Sequence, residues 1–177
     1  MIETARLALR PFAERDRDPF AAMAADPAVM GAHPGPLTRS ESRDLLDQLT
    51  ALWAEDGFCY GAVERRADGA FLGMAGLAWI RPEAPLCPGF ELGFALARAH
   101  WGQGYAAEAA RAWIAHGFGP LALPEITAFA DPANRRSVAL LARLGFRVSG
   151  RRDAGPQQIF TLTDADWRAE RSGSPAP

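Results

Sequence analysis

An α/β chain with an antiparallel meander in its middle is predicted by three observations. Residues 58–64, 70–80 and 90–97 read as consecutive strands with only turn and loop residues between them, which is a meander rather than the strand-helix alternation of a doubly wound sheet. The last of these strands feeds Trp101-Gly102-Gln103-Gly104, a glycine loop that opens an alanine-rich helix. Beyond it, a strand at 125–130 is followed by a helix capped at Asn134.

The elements follow in order. Arg6-Leu7-Ala8-Leu9-Arg10-Pro11-Phe12 alternates polar and apolar residues, predicting a half-buried strand halted by Pro11. A helix from about residue 15 to residue 25 stops before Asp26-Pro27, and residues 30–36, rich in Gly and Pro, should run over the surface. Thr38 and Glu41 form a capping box for a second helix, with Leu45, Leu46, Leu49, Leu52 and Trp53 at helical spacing. A turn at Asp68-Gly69 makes a hairpin of the next two strands. A Pro-rich loop, 81–89, leads to the third. The alanine-rich helix ends near Gly117, and the helix over 135–144 closes on Gly145 as its C-terminal cap. Residues 146–150 and 157–163 predict a last hairpin, and Asp164-Ala165-Asp166-Trp167 begins a short terminal helix. This gives one domain over 4–168 and a disordered tail over 169–177.

Composition excludes several function classes. With 49% hydrophobic residues, 23% charged residues and a net charge of -2, the chain is an ordinary globular sequence without blanket attraction for nucleic acid or anionic lipid. No apolar run is long enough to span a membrane, and the opening residues lack a basic region followed by an apolar run, so a cytoplasmic location is expected. Cys59 and Cys87 lack metal-ligand spacing, and His33, His100 and His116 are scattered. Reduced thiols and no metal site are therefore expected.

The glycine loop carries the first chemical signal. Bare backbone at Gly102 and Gly104 lets amide N–H groups converge on a phosphate at the positive end of the following helix, which is where a pyrophosphate would sit. Gly102, Gly104 and Ala107 also satisfy the dinucleotide pattern G-x-G-x-x-G/A, with Asp131 as a rival ribose ligand. The meander argues against that rival, because a dinucleotide fold would repeat strand-helix-strand units.

Taken together, the opening from Thr4 to Phe12, the strand Glu91-Leu92-Gly93-Phe94, the loop Trp101-Gly102-Gln103-Gly104-Tyr105-Ala106 with Glu108-Ala109, and Asn134-Arg135-Arg136-Ser137 leading to Leu144-Gly145-Phe146 resemble the GNAT superfamily of acetyl-CoA-dependent N-acetyltransferases, in its RimJ/RimL-like branch. The resemblance implies a mixed, mostly antiparallel sheet of about seven strands, splayed between the fourth and fifth and flanked by helices on both faces. It implies acetyl-CoA as cosubstrate and no metal. It also implies a primary-amine acceptor, a peptide N-terminus or a small molecule, attacking directly in a ternary complex of a monomer or homodimer. The loop pattern falls on Trp101 to Ala106, with Trp101 in place of the usual Gln or Arg. By resemblance, amides from Gly102 through Gln103, Gly104, Tyr105 and Ala106 to Ala107 hold the CoA pyrophosphate. The backbone of Phe94, Ala95 and Leu96 pairs with pantetheine like an added strand, and Asn134 bonds pantetheine through its amide. Arg98, Arg135 and Arg136 are further candidates for the CoA phosphates.

Acetyl transfer from a thioester to an amine needs a neutral amine, donors for the carbonyl oxygen, and a proton for the leaving thiolate. Strand alternation places Glu91, Gly93 and Ala95 on one face, so the Glu91 carboxylate lies beside two residues too small to fill its side and is the candidate general base. Glu108, early in the loop helix, favours the helix dipole and is read as structural. Many superfamily members carry a Tyr where this chain has Leu141. Ser137, one turn earlier, is the candidate to position a water or bond the thiol. Residues 30–37, Trp79 and the 81–89 loop are expected to choose the acceptor. A CoA-binding protein without turnover and a small-molecule or antibiotic acetyltransferase are the alternatives.

Overall fold

The computed structural model describes residues 1–31, 35–81, 89–152 and 155–172. Among the described residues eight strands form one sheet: β1 (Ile2–Glu3), β2 (Leu7–Arg10), β3 (Tyr60–Arg65), β4 (Ala70–Ile80), β5 (Gly89–Leu96), β6 (Glu125–Ala130), β7 (Arg147–Arg151) and β8 (Gln158–Thr163). Their order is β1-β2-β3-β4-β5-β6-β8-β7. β5 and β6 run parallel, while the pairs β1–β2, β2–β3, β3–β4, β6–β8 and β7–β8 are antiparallel. The strand beyond the expected seven is β1, in register with Leu9 and Ala8. The helices are α1 (Arg17–Ala24), α2 (Pro27–Met30), α3 (Arg39–Asp56), α4 (Tyr105–Phe118), α5 (Arg135–Arg143) and α6 (Asp164–Ser172).

The chain gathers into two compact units, Met1–Ala78 with Gly93–Trp113, and Trp79–Leu92 with Ile114–Pro177. In the first, α1 and α3 pack on each other and α3 packs on β3. Their core holds Phe12, Phe20, Met23, Leu46, Leu49 and Cys59, with Phe12 and Phe20 meeting edge to face at 5.3 Å. Thr38 caps α3 as its sequence requires: its hydroxyl accepts from Glu41 N at 3.2 Å, and the Glu41 carboxylate accepts from Thr38 N at 2.8 Å. Gly57 ends the helix at φ 79°, a conformation that disfavours any side chain.

One expectation changes here, and one short helix is added. β2 is buried along its whole length rather than on alternate residues. Its inward charge, Arg10, is tolerated because both Asp16 oxygens accept from it at 2.6 and 2.9 Å and Glu64 accepts from its Nε at 2.9 Å. Asp16 and Glu64 raise the Arg10 pKa despite burial, the Asp16 hydrogen bond being the largest cause. The first helix stops before Asp26-Pro27 as expected, and the same pair starts the short helix α2: Asp26 Oδ1 accepts from Ala28 N at 2.8 Å, and Pro27 occupies a first-turn position that needs no N–H.

In the second unit, β6, β8 and α5 bury Ile126, Phe160, Leu162, Leu140 and Leu141. α6 packs on β8 and extends through Ser172. The tail beyond it, the central residues of the 30–37 loop (32–34) and most of the 81–89 loop (82–88) lie outside the described residues, as do His33 and Cys87. Cys59 is free and buried, and burial raises its thiol pKa. Among the described residues no helix is long and apolar enough to cross a membrane, and no group of three His, Cys, Asp or Glu is placed to hold a metal ion.

Candidate active site

The glycine loop follows β5 and a single 3-10 turn, Arg98–His100. Gly102 and Gly104 sit at φ 74° and 80°, backbone that side-chain-bearing residues rarely adopt, so the turn into α4 depends on both glycines. A Cβ on Gly102 would meet open space, and one on Gly104 would meet only the Arg6 guanidinium at 3.4 Å. The first helical bond runs from Glu108 N to Gly104 O at 3.0 Å. Helix geometry gives the amides of Tyr105, Ala106 and Ala107 no carbonyl one turn back. An anion-sized space bounded by these donors is what a phosphate requires.

Arg6 and Thr4 hold this loop from below, a role the sequence reading did not assign. Arg6 donates to Gln103 O at 3.0 Å through Nη1 and to Glu108 at 2.7 Å through Nε, and its guanidinium lies 4.4 Å from the Tyr105 ring centre. Thr4 Oγ1 donates to Glu108 at 2.6 Å and the Arg6 amide donates to the same oxygen at 2.9 Å. Burial pushes the Glu108 carboxyl up, but Thr4 and Arg6 outweigh it and hold the pKa below the ordinary value. Glu108 is thus the clamp that ties α4 to the start of β2. The signal was present in the Thr4-x-Arg6 opening, but its target is a hundred residues away in sequence.

Trp101 and Gln103 brace the loop from within. The Trp101 indole N–H donates to Leu96 O at 2.7 Å, closing the loop onto the end of β5, and Gln103 Nε2 donates to Ala99 O at 3.1 Å. Leu96 O therefore already accepts a hydrogen bond within the protein. Arg98 lies 3.6 Å from Asp26 rather than standing alone over the loop.

On β5 only Leu92 and Leu96 are buried; Phe90 and Phe94, expected to share their face, are half-buried like Glu91, Gly93 and Ala95. Glu91 is the residue in register with Thr127 of β6, and Thr127 Oγ1 donates to Phe90 O at 3.1 Å. Past that pair β5 continues to Leu96. One expectation about this face is corrected. The room left by Gly93 is not empty, because the Tyr60 ring covers it; a Cβ on Gly93 would lie 2.7 Å from that ring.

In the second unit, Asn134 caps α5 by accepting from Ser137 N at 3.2 Å, so the two predicted residues meet through the Ser137 backbone. Asn134 and Arg135 are exposed and Ser137 is half-buried. Leu141, at the position where many superfamily members have Tyr, is 1% exposed and belongs to the core. Asp131, the rival ribose ligand, accepts from Ala133 N at 2.8 Å in the turn before α5. Trp79 is 43% exposed, with Arg81 stacked 4.8 Å from its ring.

The model of the acetyltransferase (GNAT) domain matches residues 6–147. With a mixed sheet, its parallel β5–β6 junction and a glycine loop opening α4, this chain belongs to the GNAT acetyltransferase family. The uncharacterized N-acetyltransferase p20 of Bacillus licheniformis is 32% identical over 149 residues, 83% of this chain and 82% of its own. Among solved structures, an acetyltransferase from Agrobacterium tumefaciens superposes with a TM-score of 0.80 at 28% identity, covering 91% of this chain and 92% of that one. The ribosomal-protein-S5-alanine acetyltransferase from Vibrio fischeri shares the fold, with a TM-score of 0.71 at 20% identity over 93% of this chain and 97% of its own.

Proposed function

We propose that this protein moves the acetyl group of acetyl-CoA directly to a primary amine in a ternary complex. The observation that carries the reading is the loop before α4: two glycines at positive φ and open space beside Gly102 at the start of a helix, in a chain of the GNAT family. In this reading Gly102 to Ala107 hold the pyrophosphate, β5 from Phe94 to Leu96 lies along pantetheine, and Asn134 bonds it. The amine nitrogen forms a bond to the carbonyl carbon as the carbon–sulfur bond breaks and its electron pair leaves on sulfur. Glu91, directly or through a water, takes the nitrogen's proton. Leu141 cannot supply the thiolate's proton, which comes from solvent or from a water held by Ser137.

A peptide N-terminus is the acceptor we favour, in a RimJ/RimL-like enzyme working in the cytoplasm; the shared fold with the Vibrio fischeri enzyme supports it. Residues 4–168 act as one domain, a reading supported by a family match that runs through both compact units. Thiol release from acetyl-CoA over a panel of peptide N-termini, polyamines, amino acids and aminoglycosides tests both the reaction and the acceptor. The expected result is turnover fastest with a peptide. Fastest turnover with an aminoglycoside or polyamine makes it a small-molecule enzyme, and silence across the panel with acetyl-CoA still bound makes it a binding protein.

A further inference from the structure

Arg6 reaches the glycine loop from the start of the chain, and its guanidinium is fixed there by three neighbours. Nε donates to Glu108 at 2.7 Å, Nη1 donates to Gln103 O at 3.0 Å, and the Tyr105 ring centre lies 4.4 Å from the central carbon. A guanidinium is planar, so two fixed nitrogens also fix the direction of the third. That third nitrogen, Nη2, lies against the loop backbone: it is the atom that a Cβ on Gly104 would meet, at 3.4 Å. Among the described residues the Arg6 side chain donates only from Nε and Nη1, and it is 46% exposed. Bracing the loop accounts for those two nitrogens and leaves Nη2 over.

Charge gives that nitrogen a purpose once acetyl-CoA is placed as proposed above, and this inference rests on that reading. The CoA pyrophosphate is a doubly charged anion, against roughly half a positive charge from the start of α4. Glu108 adds a further negative charge in the first turn of the same helix, its amide bonded back to Gly104 O at 3.0 Å. Without a cation at this junction, Glu108 would repel the anion that the loop is proposed to hold. Arg6 is the cation in place, and because Glu108, Gln103 and Tyr105 already order its side chain, little rotamer freedom is left to lose when a ligand arrives. Arg98, the candidate on the other side of the loop, is 68% exposed and lies 3.6 Å from Asp26, a much looser arrangement.

We infer that Arg6 is a ligand of the CoA pyrophosphate, Nη2 donating to a phosphate oxygen beside Gly104 while Nε and Nη1 stay on Glu108 and Gln103. The residue thereby ties the opening segment of the chain to recognition of a phosphorylated acetyl donor.

The test compares Arg6→Gln and Arg6→Lys with the wild type on two donors: acetyl-CoA, and S-acetylpantetheine, which carries the same thioester and no phosphate. Loss of one charge-assisted hydrogen bond predicts acetyl-CoA binding weaker by about 10- to 100-fold in Arg6→Gln, read by calorimetry. The KM for acetyl-CoA should rise with it while kcat holds, since a contact remote from the thioester is made equally before and in the transition state. With S-acetylpantetheine, kcat/KM should be the same in all three proteins. Arg6→Lys keeps the charge, but its one nitrogen cannot serve Glu108 and a phosphate together, so acetyl-CoA binding should weaken there too; this variant carries the test if Arg6→Gln does not unfold cooperatively. Wild-type acetyl-CoA affinity in a folded variant overturns the inference. An equal loss with both donors also overturns it, because it makes Arg6 a brace for the loop and nothing more. If the wild type does not bind acetyl-CoA, the parent reading has failed and this one falls with it; a wild type that binds it, matched by the Arg6 variants, refutes Arg6 alone.

Discussion

Arg10 shows how a single residue can be read correctly as to strand and wrongly as to exposure. Its guanidinium lies inside the first unit because Asp16, 2% exposed in its side chain, receives it with both oxygens, and Glu64 takes a further bond. Removing one member leaves a buried charge without its counterpart. Asp16→Ala should therefore destabilise by about 3–5 kcal/mol, read from urea unfolding, whereas exposed Arg39, paired with Asp18, should tolerate Ala with little change. At Glu91 the proposed consequence is catalytic. Glu91→Gln should keep acetyl-CoA affinity and lower kcat by about 10²-fold, with the acidic limb of the pH–rate profile gone, because an amide cannot take the amine's proton. Wild-type kcat in that variant would reduce Glu91 to structure, and melting temperature measured on the same samples separates lost chemistry from lost fold. The proposal for Glu91 starts from a local signal, a carboxylate on the strand face that carries Gly93 and Ala95. The cover of Gly93 by the Tyr60 ring was not legible, since the two residues lie on different strands and meet only when the sheet forms.

Among the elements, the junction of the glycine loop with α4 couples stability to pH. Glu108 has its folded pKa held below the ordinary value by Thr4 and Arg6 in spite of burial. A depressed folded pKa means that the clamp's stabilisation is present in full above the unfolded value, about 4.3, and is lost as pH falls through the folded value. Melting temperature should thus fall on acidification below about pH 4.3 more steeply in the wild type than in Glu108→Gln, which has no proton to take up; parallel curves would show that the clamp contributes nothing. The same junction explains what the sequence could and could not disclose. Gly102 and Gly104 announce a left-handed turn by residue type alone, and Thr38 with Glu41 announces a helix start. Asp26-Pro27 is ambiguous by nature, because proline ends one helix and suits the first turn of the next. The Thr4 and Arg6 clamp was hidden because a hydrogen bond between distant segments has no local pattern.

At the scale of the whole molecule, strand order is what separates acetyl transfer from nicotinamide chemistry. A G-x-G-x-x-A loop fits both, but a sheet with antiparallel hairpins and parallel pairing at β5–β6 lacks the repeated strand-helix-strand units of a dinucleotide fold, and Asp131 is engaged in its own turn. The meander before the loop made that distinction available from the sequence, whereas the acceptor was never legible there: residues 32–34 and 82–88 fall within the loops expected to choose it and outside the described residues. Calorimetric titration with acetyl-CoA, beside NAD and against Gly104→Val, tests the central claim most directly. Valine at φ 80° costs about 1–3 kcal/mol of local strain and places a branched side chain in the proposed phosphate site. The wild type should bind acetyl-CoA saturably and NAD not at all, and a Gly104→Val protein that still unfolds cooperatively should lose acetyl-CoA binding. Binding of NAD in place of acetyl-CoA, or unchanged acetyl-CoA affinity in the folded variant, would contradict it.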